Sequence, residues 1–424
     1  GHRFSTSSDT EVLIEGYRAW GTECFTRFIG FWAVALFDAE RPGVLLARDR
    51  IGKAPLYVTS SDTGWCWASE LGALRVLDHS RSWTVRDQSV VDFLHWNLRD
   101  LDGSTFFNEV STFPAASFGW IEGKELSTQT YWRLPKTRLD RKEISVDEAA
   151  TQVREILDDA IRIRLRADVP VGVQVSGGLD SSSILAIAAS QADRIDAYTV
   201  AFPQPEANEE PFARAVAERH KVSVDYHVLS PPGEDHLARL ESFVRFMGEP
   251  FHSPNQITNH AIWESIRGHG LRGVLYGAGG DEVFAGYPNE YGNPYLRWLV
   301  SQGRIGDAVR EFIAFPATHH ANPVKNLALR GLLAVSPDLE NRIRANPVSA
   351  EIDPCTIPRS DRHPTPAPTA LKELLEANMA RRLILYWTRI DNQNSMGVPI
   401  ELRCPFLDHR VVEVGFRLPV DFLI

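Results

Sequence analysis

Apolar and polar positions follow two rhythms along the chain. In residues 1–132 the apolar runs are short, alternating or β-branched. "GFWAVALFDAERPGVLLARD" (30–49) predicts two strands joined by a turn at Glu40-Arg41-Pro42-Gly43, and "APLYVTS" and "GWCWASE" continue the pattern on either side of "SDTG". A helix is predicted over 9–20, capped by Ser8 or Asp9, with Val12, Leu13, Tyr17 and Trp20 on one side. Residues 133–145, "RLPKTRLDRKEIS", are charged, carry one proline and read as a linker. Ser145-Val-Asp-Glu148 is a capping-box pattern, and the helix it opens carries Ala149, Val153, Ile156, Leu157, Ala160 and Ile161 at helical spacing.

From about residue 168 strands and helices alternate. "VPVGVQV", "IDAYTVAF", "SVDYHVL" and "RGVLY" read as strands; "SSSILAIAASQA", "NEEPFARAVAERH" and the stretches 237–247 and 258–268 read as helices. Such alternation predicts an α/β fold with a mostly parallel sheet covered by helices, whose ligand sits at the carboxyl ends of the strands. Residues 300–345 and 370–392 read as helical. Between them 347–368 hold six prolines without periodicity and read as a loop.

At 424 residues two domains are expected. They are placed at 1–132 and 146–424, with 133–145 between. The net charge of −10 argues against a nucleic-acid partner but not against a small anion held by a local loop. Cys24, Cys66, Cys355 and Cys404 are far apart and form no CxxC, so neither a disulfide scaffold nor a zinc site is expected, and a reducing, cytoplasmic setting fits. No apolar run approaches the ~18 residues of a membrane-crossing helix. Gly-His-Arg-Phe at the start and Leu-Pro-Val-Asp-Phe-Leu-Ile at the end read as interior text, so the chain is taken as a piece cut at both ends.

The chemistry concentrates in "QVSGGLDSSSI" (174–184), a strand-to-helix turn. Gly177 and Gly178 let a ligand approach the backbone, and the N–H groups at the helix start form an anion site to which Ser176, Ser181 and Ser182 add hydroxyls. Asp180 repels phosphate unless it holds Mg²⁺. The bland alternative is a glycine turn with a serine cap. The lysine of the common P-loop is absent, and that lysine serves γ-phosphoryl transfer. A glycine–serine cradle with an aspartate suits pyrophosphate held as a leaving group, with attack at the α-phosphate.

Ser176–Ser182 resembles the pyrophosphate loop of the ATP-pyrophosphatase group, in the form found in glutamine-dependent asparagine synthetases. "VLYGAGGDEVFAGY" (274–287), "RIDNQNSMGVPIELRCPFLDHRVVE" (389–413), and "RDRIGKAPLY" with "WASELGAL" (48–57, 67–74) resemble further motifs of that family in the same order. The resemblance implies an incomplete αββα glutaminase domain of the N-terminal-nucleophile type, followed by a doubly wound synthetase domain that adenylates aspartate with ATP and Mg²⁺. The small-molecule partners it implies are ATP, glutamine and aspartate or another carboxylate, and a homodimer stays open.

By this resemblance Val175, Ser176, Gly177, Gly178, Leu179, Asp180, Ser181, Ser182, Val200, Tyr276 and Gly277 bind ATP. Asp180 and Asp281 hold the metal, and Asp281, Glu282 and Arg403 are the catalytic candidates. Asp9 matches a glutamine-binding aspartate, while Asp49 and Arg50 read as structural or interface residues. Glu249, His252, Ala278 and Asp391 are placed around the carboxylate pocket. Helix-terminal acids for Asp281-Glu282, and proline-driven turns for Glu249 and His252, are the alternatives. His319-His320 and the eleven tryptophans read as surface loop and packing.

Two departures matter. The nucleophilic cysteine of the family lies upstream of this chain, and Cys24 and Cys66 read as core. Ala278 stands where some relatives carry glutamate, which widens the candidates to β-lactam synthetases, lasso-peptide cyclases and a nucleotide-binding relative without turnover.

Overall fold

The computed structural model describes residues 2–61, 64–77, 82–96, 103–205, 208–221, 223–229, 236–253, 255–314, 371–382 and 384–424. The first helix, α1 (Asp9–Trp20), is capped by Ser8, whose side chain accepts from Thr10 N. Strands β1 (Ala33–Phe37) and β2 (Val44–Arg48) pair antiparallel around the expected turn. So do β3 (Tyr57–Ser61) and β4 (Gly64–Ala68). The sequence reading did not place α2 (Leu71–Leu77), α3 (Asp87–Trp96), β5 (Val110–Thr112), β6 (Ser117–Glu122) and β7 (Glu125–Thr130). The sheets run β1-β2-β6-β7 and β4-β3-β5.

Alternation along the strands decides the layers. Leu45, Ala47 and Trp120 pack with Cys24, Phe25, Leu13 and Tyr17 on the α1 side. Leu46 and Ile121 pack with Val58 and Phe113 between the two sheets. Tyr57 and Val110 meet Leu71 and Leu74 of α2. The order is therefore helix, sheet, sheet, helix. The apolar side of α1 is narrower than expected: Leu13 and Tyr17 face the sheet, while Val12 and Trp20 remain 43% and 45% exposed.

Residues 133–145 carry no helix or strand, yet they are docked. Trp132 Nε1 donates to Glu413 at 2.8 Å, Arg138 Nη1 reaches the carbonyls of Gly415 and Leu418, and Leu139 N donates to Arg417 O. The helix α4 (Val146–Arg164) opens with the expected capping box, in which Ser145 and Glu148 exchange side-chain and backbone bonds. It buries Ala149, Leu157, Ala160 and Ile161.

The second domain contains β8 (Val171–Gln174), α5 (Leu179–Gln191), β9 (Ile195–Val200), α6 (Glu210–Arg219), β10 (Val224–Leu229), α7 (His236–Met247), α8 (Asn255–Gly268), β11 (Gly273–Leu275), α9 (Gly280–Phe284), α10 (Pro288–Ser301) and α11 (Ile305–Ala314). It continues through α12 (Leu371–Ala377), α13 (Ile384–Met396), β12 (Glu401–Arg403) and α14 (His409–Arg417). Its five-stranded sheet, β10-β9-β8-β11-β12, is parallel at every pairing. The expected loop over 347–368, His319-His320, Cys355 and much of the helix expected over 300–345 lie outside the described residues. Cys24, Cys66 and Cys404 are free. Among the described residues no helix is long and apolar enough to cross a membrane.

Candidate active site

Strand order explains where the site lies. β8 is the middle strand, and its exit turn 175–178 enters α5 beside the exit of β11. Val175 is buried and bonds Tyr198 O through its N–H, which ties the turn to β9. Val175, Ser176, Val200, Phe202, Thr258 and Ile262 line part of a cavity of about 450 Å³ over these strand ends. The first backbone bond of α5 runs from Ser182 N to Gly178 O, so the N–H groups of Leu179, Asp180 and Ser181 stand at its open end. The hydroxyls of Ser176 and Ser181 meet at 3.1 Å, and Ser176 Oγ accepts from Gly178 N at 3.3 Å. Ser182 Oγ is buried without a hydrogen-bond partner among the described residues.

Gly177 has φ +90°, and a Cβ there would lie 2.7–2.9 Å from Phe212 Cβ, Glu209 O and Ala213 N. The turn is thus pressed against the start of α6 in a conformation that L side chains avoid. Gly177→Ala is expected to reduce nucleotide affinity at least ~10-fold, since a strained αL-type position and a backbone clash each cost on the order of 1–3 kcal/mol. Isothermal titration with ATP checks this, and unchanged affinity would show that the turn does not touch the ligand.

Opposite the turn, Tyr276 N donates to Arg403 O, and the chain then passes Gly277 and Ala278 into α9. A Cβ on Gly277 would touch Ser181 N and Asp180 Cβ at 3.3 and 3.4 Å, so the two loops are in contact. The Asp180 carboxylate lies against Gly280, where any side chain would displace it. Burial, then the Asp281 charge, pushes Asp180 up to about 7, against a hydrogen bond from the Asp281 N–H. Burial raises Asp281 as well. Burial pushes Glu282 up to about 7 although Tyr287 Oη donates to it at 2.7 Å.

Among the described residues the influences on Asp180 are its burial, the Asp281 charge and the Asp281 N–H, none of them a lysine or arginine. Buried carboxylates crowded without a cation favour a hard divalent ion with oxygen ligands. Asp180 and Asp281 fit such an ion as a pair. Among the described residues no group of three or more His, Cys, Asp or Glu is arranged to hold a metal, so the remaining ligands would come from substrate and water.

The Arg403 guanidinium is not part of this assembly. It donates to the carbonyls of Arg164 and Arg166 at 2.6 and 2.9 Å and to Glu401 at 2.8 Å. It lies 3.6–3.7 Å from where a Gly273 Cβ would be, at the start of β11, away from the strand's carboxyl end. In this structure the side chain caps the carboxyl end of α4, and it is not brought together with Asp281 and Glu282.

Glu249 is likewise occupied. Glu249 and Arg389 form an ion pair at 2.6 Å with both side chains 1% exposed. Its carboxylate serves α13 rather than an open pocket. His252 stacks on Trp387 at 5.6 Å, and its N–H donates to Tyr386 Oη. Asp391 is buried on α13, accepts from Gln256 Nε2 at 2.9 Å, and is the charge that most raises the Tyr276 phenol. Ala278 is partly buried and packs into the core around α9, α10 and α12. Asp9 is exposed at the first turn of α1.

Sequence reasoning passed over Lys53. It sits in Ile-Gly-Lys-Ala-Pro-Leu-Tyr, a single charge in an otherwise apolar run, and that was the available signal. It is 3% exposed, and its Nζ donates to Asn392 Oδ1 at 2.9 Å across the domain seam.

A parallel α/β domain with a glycine–serine turn facing paired acids, attached to a layered antiparallel domain, defines a two-domain α/β protein. The chain belongs to the asparagine synthase family: residues 152–424 match the asparagine synthase model, and residues 1–132 match a glutamine amidotransferase domain. It is 27% identical over 333 residues to a Methanocaldococcus jannaschii protein provisionally named a glutamine-hydrolyzing asparagine synthetase, covering 76% of this chain and 62% of that one. It is 31% identical over 305 residues to Amidase chry2 of Gibberella zeae, covering 67% and 44%. A Mycobacterium bovis protein provisionally named a glutamine-hydrolyzing asparagine synthetase is 27% identical over 455 aligned positions, covering 99% and 66%. The matches span between 44% and 66% of the length of these relatives.

Proposed function

We propose that the protein is an ATP-dependent amide-forming ligase that makes asparagine from aspartate, with ammonia drawn from glutamine. The observation that carries this reading is the serine–glycine turn without a lysine, set against Asp180, Asp281 and Glu282. A carboxylate oxygen of the substrate attacks the α-phosphorus of ATP, the α–β bridge breaks, and pyrophosphate leaves into the turn. The N–H groups of residues 179–181 and the serine hydroxyls hold that leaving group. Val175, Val200, Tyr276 and Gly277 bound the remainder of the nucleotide. Asp180 and Asp281 would hold Mg²⁺, which supplies positive charge to the phosphate oxygens. Ammonia then attacks the acyl carbon, its C–N bond forms, AMP departs, and a proton is lost from nitrogen.

The amino-terminal part is assigned as a glutaminase domain of the N-terminal-nucleophile type, with Asp9 as the candidate for the glutamine amino group and the domain division at 133–145. A second reading, an adenylate-forming amide synthetase acting on another carboxylate, is favoured by Ala278 and by the similarity to a protein named an amidase.

The test is pyrophosphate release by the full-length protein with ATP, Mg²⁺ and a panel of carboxylates. Aspartate-dependent release with asparagine formed is the expected result. Release with a different carboxylate alone selects the second reading. ATP binding without turnover on any carboxylate overturns both.

A further inference from the structure

We propose that Lys53, contributed by the amino-terminal domain, is a positioning residue of the acid-activating site: from the domain seam it fixes Asn392 and brings its positive charge within reach of Asp391. The proposal rests on the amide-ligase reading above.

The loop that carries Lys53 is built to be rigid. The Asp49 carboxylate, fully buried, accepts from the N–H groups of Trp32, Ile51, Lys53 and Ala54 at 3.0–3.3 Å. Arg48 closes the same loop by donating to the carbonyls of Gly52, Ala54 and Phe113. An aspartate that collects four backbone N–H groups fixes the path of the chain, so the Lys53 side chain leaves from a set point.

That side chain is an ammonium with three donors, and the hydrogen bond seen among the described residues goes to a neutral amide, Asn392 Oδ1. Its Nζ also lies 5.3 Å from the Phe31 ring centroid. Burying an ammonium costs several kcal/mol unless an opposite charge offsets it. An apolar residue would close a merely structural seam at lower cost. The nearby opposite charge is Asp391, one residue before Asn392 on α13.

Asp391 sits in a network between α8 and α13 and acts on Tyr276 in the loop after β11. Gln256 of α8 donates to it, Asn394 bonds Gln256 O and Oε1 at 2.8 and 2.9 Å, and His260 Nδ1 meets Asn394 Oδ1 at 2.7 Å. The titratable and charged groups around it are Lys53 from the loop after β2, Tyr276 from the loop after β11, and Cys404 after β12, with Glu282 acting on the latter two and Arg164 on Cys404. Burial pushes Asp391 up to about 6, and Gln256 and Lys53 pull against that rise. Removing Lys53 takes away one of the influences that keep the carboxylate charged. A charged Asp391 holds Gln256 and is the charge that most raises Tyr276 beside the candidate site, so Lys53 bears on the synthetase reaction from the other domain.

The experiment measures carboxylate-dependent pyrophosphate release by the full-length protein with ammonium chloride as nitrogen source, which bypasses glutamine. Lys53→Met is expected to raise the carboxylate KM about 10-fold and to move the acid limb of the pH profile upward by roughly one unit, the size of an opposite-charge effect at close range. Lys53→Arg should restore the limb. If Lys53→Met does not fold, Lys53→Gln carries the same comparison. A wild-type KM and acid limb in the folded neutral variant overturn the proposal while leaving the ligase reading intact. A parallel loss of kcat at unchanged KM and unchanged limb also overturns it, because that is the mark of a structural role. If wild type releases no pyrophosphate with any carboxylate, the ligase reading itself fails and the proposal falls with it.

Discussion

Asp180→Asn is expected to slow carboxylate-dependent pyrophosphate release by ~10²–10³-fold, while raising the thermal midpoint of the unliganded protein. The two effects have one cause. Asp180 faces Asp281 across two loops in contact, and burial with that second charge lifts its carboxyl to about 7. A carboxylate whose folded pKa lies above the usual 3.8 favours folding only while protonated; its contribution is lost as pH rises from about 4 through 7 and stays unfavourable above. Asparagine removes that cost in full at pH 8 and only about a third of it at pH 5. The same charge is what would hold a divalent ion against pyrophosphate, and deleting one preorganised electrostatic element of an active site costs ~10²–10³ in rate. Melting curves at pH 5 and pH 8, beside pyrophosphate assays, separate the two. A variant less stable than wild type at pH 8 would remove the electrostatic account.

Arg389→Met is expected to destabilise the protein by about 3–5 kcal/mol, because it leaves Glu249 buried without its ion-pair partner. That corresponds to a fall of roughly 6–20 °C in the unfolding midpoint. Arg389 lies between the rings of Tyr57 and Tyr386, 5.3 and 5.5 Å from their centroids, and it also donates to the Tyr57 hydroxyl. Tyr57 belongs to β3 in the amino-terminal domain, so the pair joins two domains as well as two charges. Replacing both partners, Glu249→Leu with Arg389→Met, should recover most of the loss, since an apolar pair of similar volume avoids the burial cost altogether. A double-mutant cycle read by calorimetry checks this. A single variant within 1 °C of wild type would mean that the pair contributes little.

The glycine–serine turn between strand and helix was legible in the sequence because everything it needs is local: a strand, two glycines, hydroxyls and a helix within eleven residues. The parallel sheet was legible for the same reason, since each strand is followed by its helix. The three-residue β12 was not, because it joins β11 from 128 positions later at Glu401↔Gly273. Arg403 shows a sharper limit. Its motif identified the stretch, but the side chain's destination depends on the carboxyl end of α4, which no spacing within the motif encodes. The ion pair of Glu249 was not legible, because its partner Arg389 lies 140 positions away. Lys53 and Asn392 meet across 339 positions.

The docked arm at 133–139 also has a history in time. Arg138 finds its acceptors in Gly415 and Leu418, 277 and 280 positions further along. At the ~5–20 residues per second of ribosomal synthesis, about 15–60 s pass between the appearance of the arm and that of the helix it closes. The first domain has time to fold while its later seam still lacks a partner. The half-buried Arg138 guanidinium must therefore begin life solvated and move inward once α14 emerges, which sets the docking of the arm well after its own synthesis.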